Sequence, residues 1–230
     1  MRVVLNDLIL YREHWSLSAR GSFTDGIHLI SGDTGSGKTT LALLIAGLMQ
    51  PSQGSAEREQ VESLMVSFQF PEYHVTGATV REECSSWGGD PLTILMAVNL
   101  AGKEDLSPLR LSRGELKRLH LACLLANDYD LLILDEPFSS LDCLEKERIC
   151  GEISSRQKGI TIIFTHEQEL FPRVDYIWEI ERGSLCCRGP LPGALMVWDH
   201  APVSVKKLVA QGKIPDNITP KDLLEVACRT

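Results

Sequence analysis

The chain has 230 residues, 43% of them hydrophobic, and its 23 Lys and Arg residues against 31 Asp and Glu residues give a formal net charge of -8. At roughly 150 residues per domain, we predict one compact domain over residues 1–230. The acidic balance argues against a nucleic-acid partner, which would be bound by neutralising its phosphates. The negative net charge does not exclude a nucleotide ligand, because backbone amides and one lysine can hold a phosphate.

The cysteine pattern and the apolar stretches set further limits. The seven cysteines include no C-x-x-C pair, so the sequence predicts no zinc site. We expect the cysteines to be buried as small hydrophobic residues in a reducing compartment. The longest apolar stretch, residues 41–49, is about half the length of a membrane span, and no signal-peptide pattern opens the chain. These features favour a cytosolic, soluble protein and are compatible with a membrane partner.

Four short apolar runs predict the strands of a parallel sheet: residues 27–30, 64–68, 131–134 and 160–164. Continuous apolar runs are typical of strands covered on both faces, and intervening helical patterns complete an α/β fold. A glycine loop that begins at Gly32 follows the first run, and polar residues follow the other three: Gln69, Asp135 and Glu136, and Thr165 and His166. Ligands bind at the carboxyl ends of parallel strands, so the sequence predicts one polar cleft.

The loop after the first run satisfies the pattern G-x-x-x-x-G-K-[ST]. Its residues are Gly32, Asp33, Thr34, Gly35, Ser36, Gly37, Lys38 and Thr39, with Thr40 next in the helix. The glycines let successive backbone N–H groups point at a phosphate chain. We expect Lys38 to reach the β and γ phosphates and the Thr39 hydroxyl to bind Mg²⁺. The alternative is a glycine-rich turn that binds nothing.

Asp135 and Glu136 follow a strand of buried type, where carboxylates are costly unless they hold a cation or a reacting water. We predict that Asp135 binds Mg²⁺ and that Glu136 orients or deprotonates the attacking water. An acidic surface turn is the alternative. His166 is expected to donate to the γ-phosphate, and Gln69 to bridge Mg²⁺ and the water. Alone, either residue would be interpreted as an ordinary satisfied polar side chain.

Together these residues resemble the ATPase subunits of ATP-binding cassette (ABC) transporters. Residues 32–39 resemble the Walker A motif of that family, residues 131–137 its Walker B motif, Gln69 its Q-loop glutamine and His166 its switch histidine. The resemblance implies a P-loop NTPase of the ABC type, with a mainly parallel sheet core and an N-terminal antiparallel β-subdomain. It also implies a short helical insert at approximately residues 70–115 and a C-terminal segment at 200–230.

The segments at 68–72, 79–83 and 202–224 are similar to the energy-coupling factor subgroup, whose transporters import vitamins and transition-metal ions. Tyr11 lies 27 residues before Lys38, where the family keeps an aromatic residue that stacks on adenine. Packing under the first β-ribbon is the alternative for Tyr11.

Residues 111–115 lie where the family has its signature motif, which contacts the ATP of the opposite subunit. The resemblance assigns Ser112 and Gly114 to that contact. Arg113 and Glu115 depart from the family's Gly and Gln. Glu115 either brings negative charge towards the partner's phosphate or forms a capping box with Ser112.

The resemblance implies a dimer of two ABC ATPase subunits around MgATP, docked on an integral membrane subunit at the cytoplasmic face. The altered signature favours a heterodimer over a homodimer. The helical insert is shorter than usual, and residues 91–101 form one predicted helix. Its apolar side is expected to pack in the core, with partner contact as the alternative; its residues are Leu92, Leu95, Met96, Asn99 and Leu100.

The function predicted from these residues is ATP hydrolysis that powers transport of a small solute, of vitamin or metal-ion type, through a separate membrane partner. Two alternatives stay open. One is a non-transport ABC ATPase acting on nucleic acid or ribosomes, although the sequence has no basic arm or long coiled-coil insert. The other is a weakly active regulatory subunit, against which the presence of Glu136 and His166 argues.

Overall fold

The computed structural model describes residues 1–156 and 158–228. Its strands are β1 (Arg2–Arg12), β2 (Trp15–Thr24), β3 (Gly26–Ser31), β4 (Gln53–Glu59), β5 (Leu64–Ser67), β6 (Leu131–Asp135), β7 (Ile160–Phe164), β8 (Tyr176–Glu181) and β9 (Ser184–Pro190). Its α-helices are α1 (Lys38–Ala46), α2 (Val80–Ser86), α3 (Pro91–Ala97), α4 (Arg113–Leu125), α5 (Cys143–Ser154), α6 (Val203–Ala210) and α7 (Pro220–Cys228). A short 3-10 turn, Pro71–His74, follows β5.

The strands form one mixed sheet in the order β4-β1-β2-β9-β8-β3-β7-β6-β5. Neighbouring strands are parallel from β8 through β3, β7 and β6 to β5. At the other end of the sheet β1 pairs antiparallel with both β2 and β4. The predicted fold class, a parallel core with an N-terminal antiparallel part, is therefore confirmed, and the four predicted runs are four adjacent parallel strands.

The register aligns the carboxyl ends of these four strands. Phe164 on β7 is level with Ile30 on β3 and with Asp135 on β6. Ser67 on β5 is level with Leu134 on β6. The polar groups that follow the strands consequently meet at one edge of the sheet, as the sequence predicts.

The core lies on both faces of the parallel sheet, which explains why its strands are continuously apolar. Successive residues of a strand point to opposite faces. Leu131 and Ile133 pack in a cluster with α1, whereas Leu132 and Leu134 pack with α5 and the C-terminal segment. Every residue of β6 and β7 is accordingly buried.

The helical insert has a small core of its own, in which α2, α3 and α4 pack together. Here the predicted helix at 91–101 needs two corrections. The helix ends at Ala97, because Asn99 has a positive φ of 56° that a helix cannot continue through. Leu92 and Met96 are also not in the core: they are 58% and 72% exposed. Leu95 and Leu100 are buried as predicted, and Ile94 is buried with them.

The cysteine prediction holds for three residues and is wrong for the others. Cys84, Cys123 and Cys150 are buried, but Cys143, Cys187 and Cys228 are exposed and Cys186 is half-buried. The exposed positions lie at the first residue of α5, at the last residue of α7 and on β9. In the described part of the chain, no helix combines the length and the apolar character needed to cross a bilayer.

A buried histidine at the sheet centre predicts a specific acid sensitivity. Nε2 of His28 lies 2.8 Å from the Thr24 carbonyl oxygen, and Nδ1 accepts the indole N–H of Trp178 at 3.1 Å. Both contacts are satisfied by neutral His28, and burial lowers its pKa from 6.5 to about 4. The unfolded chain therefore binds more protons than the folded chain between these values, so stability falls as the pH drops through this range.

We expect His28 to account for about 2 kcal/mol of the unfolding free energy lost between pH 7 and pH 5. In the variant His28→Gln the side chain at this position cannot titrate, so the unfolding free energy lost over the same pH interval should be smaller by that amount. Urea unfolding at the two pH values measures this. His14→Gln, at an exposed position, is the control and should behave as the wild type. An equal loss in His28→Gln and the wild type would contradict the assignment.

Candidate functional site

The glycine loop joins the end of β3 to the start of α1 and is shaped by its glycines. Gly37, the N-cap of α1, has φ 104°, a conformation that side chains rarely adopt. A Cβ atom there would lie 2.5 Å from Cζ2 of Trp15. Only glycine fits this position, because the indole lies directly against the loop. The first N–H groups of α1 remain available to an anion.

Lys38 folds back along the loop. Its Nζ donates to the carbonyl oxygens of Gly32 at 2.7 Å and Asp33 at 3.0 Å. It also lies 3.9 Å from Oε1 of Glu136. Burial lowers the pKa of Lys38, and the nearby carboxylates of Glu136, Asp135 and Asp33 oppose that shift. The result is a buried cation at the centre of the loop, which suits a phosphate chain.

Thr39 and Asp135 form the part of the site that fits a divalent cation. The Thr39 hydroxyl donates to Oδ2 of Asp135 at 2.7 Å. Oδ1 of Asp135 is buried and has no hydrogen-bond partner among the described residues. Burial raises the pKa of Asp135, and the Thr39 hydrogen bond opposes this. A hydroxyl beside a carboxylate oxygen without a partner is a hard donor set of the kind that Mg²⁺ prefers.

Glu136 is held in place by its backbone and by two neighbouring side chains. Its φ of 49° is unusual for a residue with a side chain and costs on the order of 1–3 kcal/mol. Oε1 lies 2.7 Å from Nδ1 of His166, while Oε2 accepts the Thr165 hydroxyl at 3.2 Å. Only 7% of the residue is exposed, but Glu136 still lines the cleft. Its position is therefore fixed before any reaction.

A cleft of about 350 Å³ gathers most of the predicted residues. It is lined by Trp15, Thr34, Gly35, Gly37, Lys38, Thr39, Thr40, Gln69, Glu136 and His166. A larger groove of about 540 Å³ lies between α3, α4 and α5. That groove has none of the predicted site residues, so the chemistry points to the smaller cleft.

Three residues of the glycine loop are placed around the cleft rather than in its lining. The Gly32 and Asp33 carbonyls hold Lys38, and the exposed Asp33 carboxylate lies 3.6 Å from Nε2 of His200. The buried hydroxyl of Ser36 has no partner among the described residues.

Ser112 and Gly114 are not brought to this cleft. They line a separate cavity of about 190 Å³ that also contains Ser140 and Asp142. A residue that serves a site on another subunit would be placed in this way.

The two alternatives for Glu115 are resolved in favour of the capping box. The Glu115 N–H donates to the Ser112 hydroxyl, and Glu115 Oε2 accepts the Ser112 backbone N–H at 2.9 Å. Oε1 accepts from Lys103 Nζ at 2.5 Å. These contacts, led by the hydrogen bond from Lys103, lower the pKa of Glu115 to about 2. The charge of Glu115 is thus neutralised within its own subdomain.

The aromatic residue that lines the cleft is Trp15, and not Tyr11. Tyr11 is 54% exposed, which also does not match packing under the β-ribbon. Trp15 pairs with Arg12 at the end of the β1–β2 hairpin, and this fold-back carries the indole onto Gly37. Sequence reasoning missed Trp15 because only the hairpin register distinguishes it from Tyr11.

Comparisons with known proteins identify the family of this chain. A family model described as ABC transporter matches residues 23–139. The energy-coupling factor transporter ATP-binding protein EcfA1 of Thermotoga maritima is 34% identical over 186 residues, covering 70% of this chain and 70% of the relative. EcfA2 of the same organism is 27% identical over 230 residues, covering 88% and 86%.

A solved structure shows the same fold. It is an ABC transporter in an inward-facing conformation, with a TM-score of 0.62 and 19% identity over 80% of this chain and 82% of that chain. Together with the family match, these likenesses confirm the resemblance drawn from the motifs. The chain belongs to the ABC transporter family, as an ATP-hydrolysing subunit similar to the ATP-binding proteins of energy-coupling factor transporters.

Proposed function

We propose that this ATPase binds MgATP in the cleft at the end of the parallel sheet and hydrolyses it between two subunits to drive a membrane transporter. The proposal rests on one observation: the motif residues lie in two separate places on the chain. Lys38, Thr39 and Glu136 line one cleft, while Ser112 and Gly114 line a separate cavity. A second subunit that presents its own signature segment would complete each site.

In this proposal the Lys38 ammonium neutralises charge on the β and γ phosphates, and the loop N–H groups bind the phosphate oxygens. Water attacks the γ-phosphorus, the bond to the bridging oxygen of ADP breaks, and Glu136 accepts the proton of the water. His166, whose ring lies against Oε1 of Glu136, donates to the γ-phosphate as charge develops.

The residues that would hold Mg²⁺ are Thr39 and Asp135, joined by Gln69 from the neighbouring strand end. When bound, the ion supplies positive charge to the phosphate oxygens. The buried Oδ1 of Asp135 without a partner supports this assignment. Gln69 is exposed and lines the same cleft.

We further propose a heterodimer, in which the partner supplies an intact signature to the ATP held by this chain. Arg113 occupies the position where the family has glycine, and it lines a cavity with Gln69 and Ser140. A large charged side chain there would weaken the site that this chain completes on its partner. The chain would act as one domain, with the helical insert and the C-terminal segment as parts of it.

The proposed transporter imports a small solute of the vitamin or metal-ion type, with this chain as a peripheral subunit on the cytoplasmic face of the membrane. The similarity to EcfA1 and EcfA2, whose names refer to energy-coupling factor transporters, supports this choice. No nucleic-acid partner is expected, given the net charge of -8.

Purification of the tagged chain from its own membranes in mild detergent tests the proposal. We expect a second ABC ATPase subunit and an integral membrane subunit to co-purify, and the assembly to turn over ATP faster per chain than the isolated protein. Recovery without a membrane subunit would contradict the transport role. Recovery with only copies of itself would contradict the heterodimer.

We also propose that Trp15, rather than Tyr11, contacts the base of the nucleotide. Loss of one aromatic stacking partner costs roughly 1–3 kcal/mol, so Trp15→Ala should raise the Kd for ATP about 10-fold. Quenching of tryptophan fluorescence by ATP should be reduced in the same variant. Trp15→Phe should retain most of the affinity.

Tyr11→Ala is the matched comparison, because the two aromatic residues are four positions apart on one hairpin. Our proposal expects wild-type affinity in that variant. A loss of affinity in Tyr11→Ala with none in Trp15→Ala would favour the assignment made from the family resemblance.

A further inference from the structure

Lys117 is a buried lysine on α4 to which the proposed reaction gives no role. Only 1% of the residue is exposed. In the part of the chain that the structure describes, its ammonium makes no ion pair, and its hydrogen bonds go to two backbone carbonyls. Lysines are almost never fully buried without a partner, because desolvation of the charge is costly. The position of this ammonium therefore needs a specific reason.

The two carbonyls belong to the segment that carries Gln69. Nζ of Lys117 lies 3.2 Å from the Gln69 carbonyl oxygen and 3.5 Å from that of Phe68. The same side chain lines a cavity of about 70 Å³ together with Gln69, Arg113 and Ser139. One side chain thus joins the helix behind the signature segment to the backbone of a residue in the cleft.

Two histidines hold the same strand end. Nε2 of His120, one turn after Lys117, lies 3.0 Å from the Ser67 hydroxyl. Nε2 of His74 accepts the Phe68 N–H at 2.9 Å, and the two rings stack with centroids 4.3 Å apart. Burial, followed by nearby charges that include Lys117, lowers the pKa of both histidines. The backbone from Ser67 to Gln69 is therefore fixed from α4 and from the turn after β5.

The acidic end of β6 stabilises the buried charge without touching it. Burial lowers the pKa of Lys117 to about 8, and the carboxylates of Asp135 and Glu136, followed by that of Glu72, oppose the shift. An apolar side chain would avoid the desolvation cost at this position. The cation is therefore better explained by its contacts to the Gln69 segment than by packing.

We propose that Lys117 is a positioning residue, which holds the Gln69 backbone to α4 so that the Gln69 side chain and the signature segment of the same chain move together. This inference rests on the proposed function, in which Gln69 serves one ATP and Ser112, at the start of α4, serves the other. Lys117 touches neither nucleotide and acts through Gln69.

The test uses Lys117→Met, which keeps the length and apolar stem of the side chain but removes the ammonium. In the full chain within its assembly, kcat for ATP should fall about 10-fold or more, since small displacements of catalytic groups are costly. The KM for ATP should change by less than about threefold, because the glycine loop is untouched. The Mg²⁺ concentration for half-maximal turnover should rise, because Gln69 is displaced.

Three further measurements separate positioning from a structural role. Binding of ATP without Mg²⁺ and the Tm should stay close to the wild type, because removal of a buried charge need not destabilise the fold. Lys117→Arg, which retains a cationic donor, should recover most of kcat. Lys206→Met, at an exposed position on α6, is the control and should match the wild type.

Wild-type kcat in Lys117→Met would overturn the inference. A lowered Tm with equal loss of kcat and ATP binding in both Lys117 variants would also overturn it, since that shows a structural role. Failure of the proposed function is recognised separately: the wild type would not hydrolyse MgATP, or Glu136→Gln would hydrolyse it at the wild-type rate.

Discussion

Glu136→Gln should lower kcat for ATP hydrolysis by about 10²–10⁴-fold, which is the usual contribution of a general base. The amide is nearly the same size as the carboxylate but cannot accept the proton of the attacking water. The KM for ATP should change by no more than about threefold, because Lys38 and the loop N–H groups are unaltered. Phosphate release by the assembly, with ATP binding measured in parallel, separates the two effects.

The matched control is Glu147→Gln, which makes the same chemical change at an exposed position on α5. It should leave kcat unchanged. Unaltered turnover in Glu136→Gln would mean that another group accepts the proton. Loss of both turnover and ATP binding would mean that the carboxylate serves to hold Lys38, from which its Oε1 is 3.9 Å away.

Lys38→Met should weaken ATP binding by about 10²-fold or more and abolish measurable turnover. The ammonium is expected to make charge-assisted hydrogen bonds to two phosphates, each contributing roughly 1.5–3 kcal/mol. The thermal stability should not fall with the affinity. Burial disfavours the charged form of Lys38 and lowers its pKa, so removal of this charge should leave the Tm unchanged or higher. Nucleotide titration and thermal unfolding of one preparation give both values.

Lys207→Met, on the exposed side of α6, is the control for removal of a lysine charge and should bind ATP as the wild type does. A Lys38→Met protein with a lowered Tm would show that the bonds to the Gly32 and Asp33 carbonyls are needed to fold the loop. Wild-type affinity in that variant would exclude the loop as the phosphate site.

The parallel core could be predicted from the sequence because strands buried on both faces are mainly apolar. Strand β8 breaks this rule. Its Glu179 is fully buried and paired with Arg188 and His200, so a charge interrupts the apolar run and hides the strand. The antiparallel part is expected only from the family resemblance. Its strands mix buried and exposed residues, so they contain no continuous apolar run.

The cleft could be predicted as far as its residues follow strand ends. The place of Trp15 in the cleft could not be predicted, because Trp15 and Gly37 are far apart in the sequence and only the hairpin register brings them together. Lys117 could not either, since a lysine in a helical pattern is normally assigned to the solvent side. The sequence allows two roles for Glu115, and only its side-chain contacts decide in favour of the capping box at Ser112.

The turn after β6 places two residues with side chains in the left-handed region: Glu136 at φ 49° and Ser140 at φ 65°. Glycine or asparagine would relieve that strain at either position. A selection for thermal stability alone would therefore favour replacing the residue on which hydrolysis is proposed to depend. Resistance to heat and catalytic power compete at position 136, and variants of this chain evolved for robustness should be checked there first.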